Sequence, residues 1–209
     1  MIRPARPAAA AVLILALGVL ATGLAGCITL FSKEKPVQLY MFGAAVQPPP
    51  AAPGAPFVVR VGALDFDQGA GGDRILTVTG DEAAYIDGAR WVAPASELFE
   101  EALEHGFNTA GGRARLVPPG PARVDYRLSL QVSRFETRYA SRGSPPTIVV
   151  HLHATLERQS DMAVMAEKEI DEEAPASADR VGAIVKAYDT AVGRTVSDLV
   201  SWLDATAHG

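Results

Sequence analysis

Val124-Asp125-Tyr126-Arg127-Leu128-Ser129-Leu130-Gln131-Val132 alternates apolar and polar side chains, and Ile148-Val149-Val150-His151-Leu152-His153-Ala154-Thr155-Leu156-Glu157 keeps an apolar residue at every second position. Successive side chains of a strand point to opposite faces, so both runs predict long strands with one buried and one wet face. Ser141-Arg142-Gly143-Ser144-Pro145-Pro146 reads as the loop between them. A third strand, Met162 to Ile170, follows a turn near Gln159-Ser160-Asp161. The three together predict an antiparallel meander.

Toward the C-terminus the period changes from two to that of a helix. Val181, Ile184, Val185, Tyr188, Val192, Val196, Leu199, Val200 and Leu203 fall on one stripe, with Ser177 as the expected N-cap. Toward the N-terminus, Pro94 opens a helix, where a missing amide costs nothing. Leu98, Phe99, Ala102, Leu103 and Phe107 form its apolar stripe, and Glu97, Glu100, Glu101 and Glu104 face water. Gly106 or the Gly111-Gly112 pair is expected to end it.

Further strands are expected at Val37–Phe42, Phe57–Leu64, Ile75–Val78, Glu82–Trp91 and Ala114–Val117, with a possible turn at Asp87-Gly88 in the fourth. Gln68 to Asp73 reads as a Gly-rich turn, and the proline-dense 48–56 stretch as an extended loop. The order predicts a single α+β domain: a mixed, mostly antiparallel sheet with two helices packed on one face.

The first residues read as an export signal. Arg3 and Arg6 precede an uncharged run from Ala8 to Leu20, and Leu24-Ala25-Gly26-Cys27 closes it with small residues. A membrane-spanning anchor is the rival reading, since a span needs roughly 20 apolar residues. The stretch is rich in Ala and Gly, hence weakly hydrophobic, and it ends on the single cysteine of the chain. Leu-Ala-Gly-Cys at the end of such a run resembles the bacterial lipobox. That resemblance implies cleavage before Cys27, a diacylglycerol on its thiol and acylation of its new amine. The expected division is a signal peptide at 1–26, a lipidated tether at 27–36 and one domain at 37–209. With one cysteine, no intramolecular disulfide forms.

Removing Arg3 and Arg6 leaves 17 basic against 24 acidic residues, a net charge of −7. Such a surface repels phosphate backbones and excludes nucleic acid as the expected partner.

Catalytic chemistry finds little support. His151 and His153 share one strand face, a spacing that chelates a metal only if a third ligand converges, and neither His105 nor His208 is placed to do so. Asp171-Glu172-Glu173 reads as a solvated acidic loop without EF-hand spacing. Asp65, Asp67 and the glycines after them lack a phosphate-loop or dinucleotide fingerprint. No nucleophile elbow occurs. The expectation is no enzyme, no catalytic residue, no metal and no cofactor. Trp91 is expected in the core. Trp202, off the main stripe, is a candidate partner contact.

Several landmarks come in a recognisable order. Tyr40 lies in the first strand, followed by a Pro-rich loop and a Val-rich strand. Asp73-Arg74-Ile75 and Tyr85…Arg90-Trp91…Pro94 lead into the first helix. Tyr126 and Leu128 begin a strand ending in Arg134-Phe135-Glu136, and the last helix closes on Trp202-Leu203. This order resembles the ABC-type transport auxiliary lipoproteins, the PqiC-like family, over most of the chain after the tether. The resemblance implies a periplasm-facing lipoprotein beside an ABC permease and ATPase and an MCE-domain protein, in a system moving lipids or other hydrophobic molecules across the envelope. It implies a non-catalytic part, held by its lipid anchor. Ile28 after the cysteine is not the Asp that retains enterobacterial lipoproteins at the inner membrane, so the outer membrane is favoured, with inner-membrane retention as the alternative.

The wet face of the sheet is expected to carry Arg127, Ser129, Gln131, His151, His153 and Thr155. Among these Arg127, His151 and Thr155 are the candidate docking residues. Two other readings stand beside this one: a lipid-binding carrier with its own apolar cavity, and a lipoprotein that pilots an outer-membrane pore.

Overall fold

The computed structural model describes residues 36–44, 53–109 and 112–207. In chain order the elements are β1 (Gln38–Tyr40), β2 (Phe57–Phe66), β3 (Arg74–Thr79), β4 (Glu82–Trp91), α1 (Ala95–Thr109), β5 (Ala114–Leu116), β6 (Tyr126–Tyr139), β7 (Thr147–Arg158), β8 (Val164–Pro175) and α2 (Val181–Thr206). The alternating stretch around Leu128 is the axis of one forked sheet. On one edge β6 pairs antiparallel with β7, and β7 with β8. On its other edge the first half of β6 pairs parallel with β2 and the last residues with β3. β5 extends β2, and β4 then β1 extend β3. The sheet is therefore mixed, and its longest ladders are antiparallel.

A β-bulge lies at the fork. Val132 faces Leu152 and Arg134 faces His151, so Ser133 is extra on β6. The bulge inverts the parity of the strand. Leu128, Leu130 and Val132 point inward before it, whereas Phe135 and Thr137 do so after it. One extra residue thus keeps the whole 14-residue strand amphipathic while its neighbour changes from β2 to β3.

Both helices cover the inner face. Ile148, Val150, Leu152, Ala154 and Leu156 of β7 are buried, as are Leu98, Phe99, Leu103 and Phe107 of α1 and Ile184, Tyr188, Val192, Val196, Leu199 and Leu203 of α2. Burial of each large apolar side chain contributes about 1.5–3 kcal/mol. At the centre, Tyr188 meets Phe135 at 4.9 Å and Trp91 at 5.1 Å between ring centroids, and Phe42 closes on Trp91 at 4.9 Å. Burial raises the Tyr188 phenol, and Thr137 Oγ1 donates a 3.2 Å hydrogen bond to its oxygen.

The Gly-rich turn between β2 and β3 caps α1. Asp67 Oδ1 accepts the amides of Gly69 (2.9 Å) and Ala70 (3.2 Å), fixing the turn. The carbonyls of Gly72 and Gly71 then accept the amides of Ala95 (3.0 Å) and Ser96 (3.2 Å), donors that a helix start otherwise leaves unpaired. At the other end of the domain Arg113 and Asp204 form a clamp. Asp204 Oδ1 accepts the amides of Arg113 (2.8 Å) and Ala114 (3.1 Å). The Arg113 guanidinium donates to the carbonyls of Asp204 (3.1 Å) and Ala207 (2.8 Å), satisfying the end of α2. Gly112 permits this approach, since a Cβ there would lie 2.7 Å from Asp204 Oδ2.

Five local expectations are corrected. β8 begins at Val164, because Met162 takes a left-handed conformation (φ 57°) in the preceding turn. It runs on to Pro175, so Asp171-Glu172-Glu173 is strand, not loop. An edge strand tolerates a proline, and its charges discourage pairing with other chains. Ser177 does not cap α2; Arg180 holds that position with extended backbone and no side-chain cap, its carbonyl accepting the Ala183 and Ile184 amides. Gly106 does not end α1 but is buried within it, and Gly111 lies outside the described residues. Asp87-Gly88 makes no reversal. Leu76 pairs with Tyr85 and Arg74 with Arg90, so the surplus residues of β4 form a bulge, with Gly88 at φ 69°.

Candidate functional site

Among the described residues no helix covers the outer face of the sheet, and three of the four candidate docking residues lie on it. Across β6–β7, Ser129 pairs with Thr155, Arg127 with Glu157, Gln131 with His153 and Arg134 with His151. Pairing with β8 then sets Glu167 beside Thr155, Glu169 beside His153 and Asp171 beside His151. Trp202 is half-buried against the core from α2, in the helical layer, and is not part of this face.

The histidines are held by carboxylates. His151 Nδ1 lies 2.5 Å from Asp171 Oδ1, and its Nε2 lies 3.0 Å from Glu169 Oε2. His153 Nδ1 lies 2.7 Å from Glu169 Oε1, and its Nε2 is 3.3 Å from Thr155 Oγ1. Each imidazole nitrogen thus has a protein partner. Among the described residues, no group of three or more His, Cys, Asp or Glu is arranged to hold a metal ion. These half-exposed pairs orient side chains more than they stabilise, since surface ion pairs contribute about 0–1 kcal/mol.

Charge is unevenly spread over this face. Its β2–β6 side carries Arg60, Arg127 and Arg134, with Arg60 opposite Arg127. The stem of Arg127 lies across Gly62, where a Cβ would collide with it. Its β8 edge carries Glu167, Glu169, Asp171 and Glu173. A face graded from basic to acidic can fix the orientation of a partner graded the opposite way.

Glu169 is the residue that reasoning from sequence missed, and Asp171, expected in a solvated acidic loop, stands on β8 beside His151. Their signal was present: acids recur at every second position from Glu167 to Glu173. On the inner side of the same strand, Glu172 is raised above the usual carboxylate range, mainly by burial and then by the nearby Asp198 charge, with Arg194 opposing. At the end of β6, burial and the hydrogen bond to Asp179 (2.7 Å) push the Tyr139 phenol up to about 12.

The motifs around Asp73 and Trp91 converge on a structural corner. Arg90 Nη1 meets Asp73 Oδ2 at 2.8 Å, and the Trp91 amide donates to the Asp73 carbonyl at 2.7 Å. The Arg74 guanidinium stacks 3.7 Å over the Tyr85 ring, and the Tyr85 hydroxyl donates to the Gly69 carbonyl at 3.0 Å. Ile75 and Trp91 are buried. This corner holds the capping turn against α1 and places no reactive group in a cleft.

A groove of about 350 Å³ opens between α1 and the segment after β5. Val61, Leu103, Leu116 and Val117 line its floor, and Glu100 and Glu104 stand on the α1 side. No described helix is long and apolar enough to cross a membrane. Cys27 and the apolar run before it lie outside the described residues.

The comparisons with known proteins agree with this architecture. Protein XCC0632 from Xanthomonas campestris, of the DUF330 family, is 29% identical with a TM-score of 0.72, over 81% of this chain and 96% of that one. A further uncharacterized protein superposes with a TM-score of 0.61 at 15% identity, over 81% of this chain and 99% of its own. The hypothetical protein CT253 from Chlamydia trachomatis shares the fold, with a TM-score of 0.51 at 10% identity, over 73% of this chain and 98% of that one. No curated protein matches the chain in sequence. The family model described as the ABC-type transport auxiliary lipoprotein component matches residues 39–200, from β1 to the last turns of α2. The chain therefore belongs to the ABC-type transport auxiliary lipoprotein component family.

Proposed function

We propose that the protein is a non-catalytic docking component of an ABC/MCE-type system that moves lipids or other hydrophobic molecules across the cell envelope. Residues 1–26 direct export, Cys27 receives the acyl chains, and residues 27–36 tether the domain of residues 37–209 to the periplasmic side of the outer membrane. Two or more acyl chains, each buried methylene contributing about 0.8 kcal/mol, make such an anchor stable.

The observation that carries the docking role is the outer face of β6–β8. It is covered by no helix among the described residues, is graded in charge, and presents Arg127, His151 and Thr155 in fixed positions. The partner is the MCE-domain protein that works with the ABC permease and ATPase. The test is recovery of that protein on the purified lipoprotein. Arg127→Glu, which reverses one charge, combined with Thr155→Lys, which places a new charge on a neutral position, should cut recovery strongly, whereas recovery equal to the unaltered protein would refute docking through this face.

The carrier reading has less support. The groove beside α1 is at the small end of ligand pockets, roughly 300–1,000 Å³, and two glutamates flank its apolar floor.

A further inference from the structure

Seven large apolar side chains are exposed among the described residues, and four of them lie together where the tether enters the domain. Val37 (47%), Leu39 (58%) and Met41 (64%) occupy alternate positions through β1, so they share one face of that strand. Val92 (53%) joins them from the end of β4, where its amide donates to the Tyr40 carbonyl. Gln38 between the first two is exposed, whereas Tyr40 packs on the core and Phe42, next after Met41, is buried within it. From Leu39 onward the stripe is therefore the outward half of an amphipathic edge.

Two features specify what covers it. The first is chain length. Val37 lies ten residues after Cys27. Fully extended this segment reaches at most about 35 Å, and as a flexible coil about 18 Å. A lipid on Cys27 thus keeps β1 within a short distance of the bilayer. The second is local charge. The domain is acidic as a whole, but beside the stripe Arg90, across β1–β4 from Leu39, and Arg74, across β3–β4 from Arg90, stand against the one Asp73 that pairs with Arg90, and the tether carries Lys33 and Lys35 around a single Glu34. Apolar side chains flanked by guanidinium groups suit the boundary between phosphate headgroups and acyl chains.

We propose that the β1 edge, through Val37, Leu39, Met41 and Val92 with Arg90 beside them, rests on the surface of the phospholipid bilayer and orients the domain there. This rests on the anchoring of Cys27. The acyl chains hold the protein at the membrane; the β1 stripe turns a tethered, tumbling domain into one with a defined side toward the lipid. Four side chains and a guanidinium would bind a bilayer weakly alone, and the tether supplies the high local concentration that makes weak contact sufficient.

Full-length protein, processed in a bacterial host and extracted with its anchor, is reconstituted into phosphatidylethanolamine/phosphatidylglycerol vesicles. Because the native cysteine is consumed by lipid, one added cysteine is a unique labelling site. Leu39→Cys and Met41→Cys, carrying an environment-sensitive fluorophore, should shift to the blue. Brominated acyl chains should quench them several-fold more than a probe at Ser141→Cys in the distant β6–β7 loop. A Val92→Cys probe should lose its quenching when Leu39 and Met41 are both replaced by Asp, while the protein still floats with the vesicles. Floating protein whose probes at 39 and 41 are quenched no more than the one at 141 overturns the proposal and leaves the anchor standing. So does a spectral change that appears only when a partner protein is added. Protein that does not float, with no lipid on the N-terminal peptide by mass spectrometry, removes the anchor and this inference with it.

Discussion

Asp204→Ala should destabilise the domain by about 2–4 kcal/mol, although Asp204 lies far from the outer face of the sheet. The carboxylate is 6% exposed and accepts two backbone amides with one oxygen, Arg113 at 2.8 Å and Ala114 at 3.1 Å. Alanine leaves both donors without a partner. An unsatisfied buried donor costs about 1–3 kcal/mol. Ala114 is buried and bears the full cost, whereas the half-buried Arg113 amide regains some hydration. Asp204→Asn separates geometry from charge. Its amide oxygen still accepts both amides, and only the charge assistance is lost, which costs about 1 kcal/mol. Urea unfolding followed by circular dichroism measures both variants; the midpoint should fall in the order wild type, Asn, Ala, with an unchanged slope. An alanine variant within about 0.5 kcal/mol of wild type, the range of neutral surface changes, would refute the clamp. So would an asparagine variant as unstable as alanine.

Other expectations follow from the same structure. Trp91→Ala should cost about 3–5 kcal/mol by leaving a cavity between Phe42 and Tyr188. Asp73→Asn, at an ion pair whose side chains are 44% and 49% exposed, should cost under about 1 kcal/mol by thermal or urea unfolding. A reversed order would mean that the corner does not depend on its buried tryptophan. Glu172 binds its proton more tightly in the fold than in the unfolded chain, so its favourable contribution is present below the unfolded carboxylate's range and lost as pH rises through the folded value. Glu172→Gln should therefore melt higher than wild type at neutral pH, with the gap closing as pH falls; a gap that widens on acidification contradicts the assignment.

Periodicity made most of the fold legible. The alternation in β6 and β7 and the stripes of α1 and α2 identify the buried faces because a helix or strand must hide one side. What stayed hidden was set by tertiary contacts. Nothing local marks Ser133 as extra; its bulge is defined by the change of neighbour from β2 to β3. The end of β8 was misplaced because an acidic run before a proline reads as loop, and only the pairing with β7 makes it strand. The start of α2 follows a bend, so the hydroxyl of Ser177 comes too early to cap it. On the outer face, the alternation placed Arg127, His151 and Thr155 together. The carboxylate partners of the histidines needed the register between two strands, which the sequence of either strand alone does not contain.

Intact-mass analysis of the N-terminal peptide, from protein extracted with detergent from the envelope of a host that processes it, tests most directly whether this is a lipid-held module. The account predicts a chain that begins at Cys27, with a diacylglycerol thioether on the sulfur and a fatty acyl group on the new amine. A peptide still carrying residues 1–26, or a free Cys27 thiol on protein recovered from the soluble fraction, would contradict it.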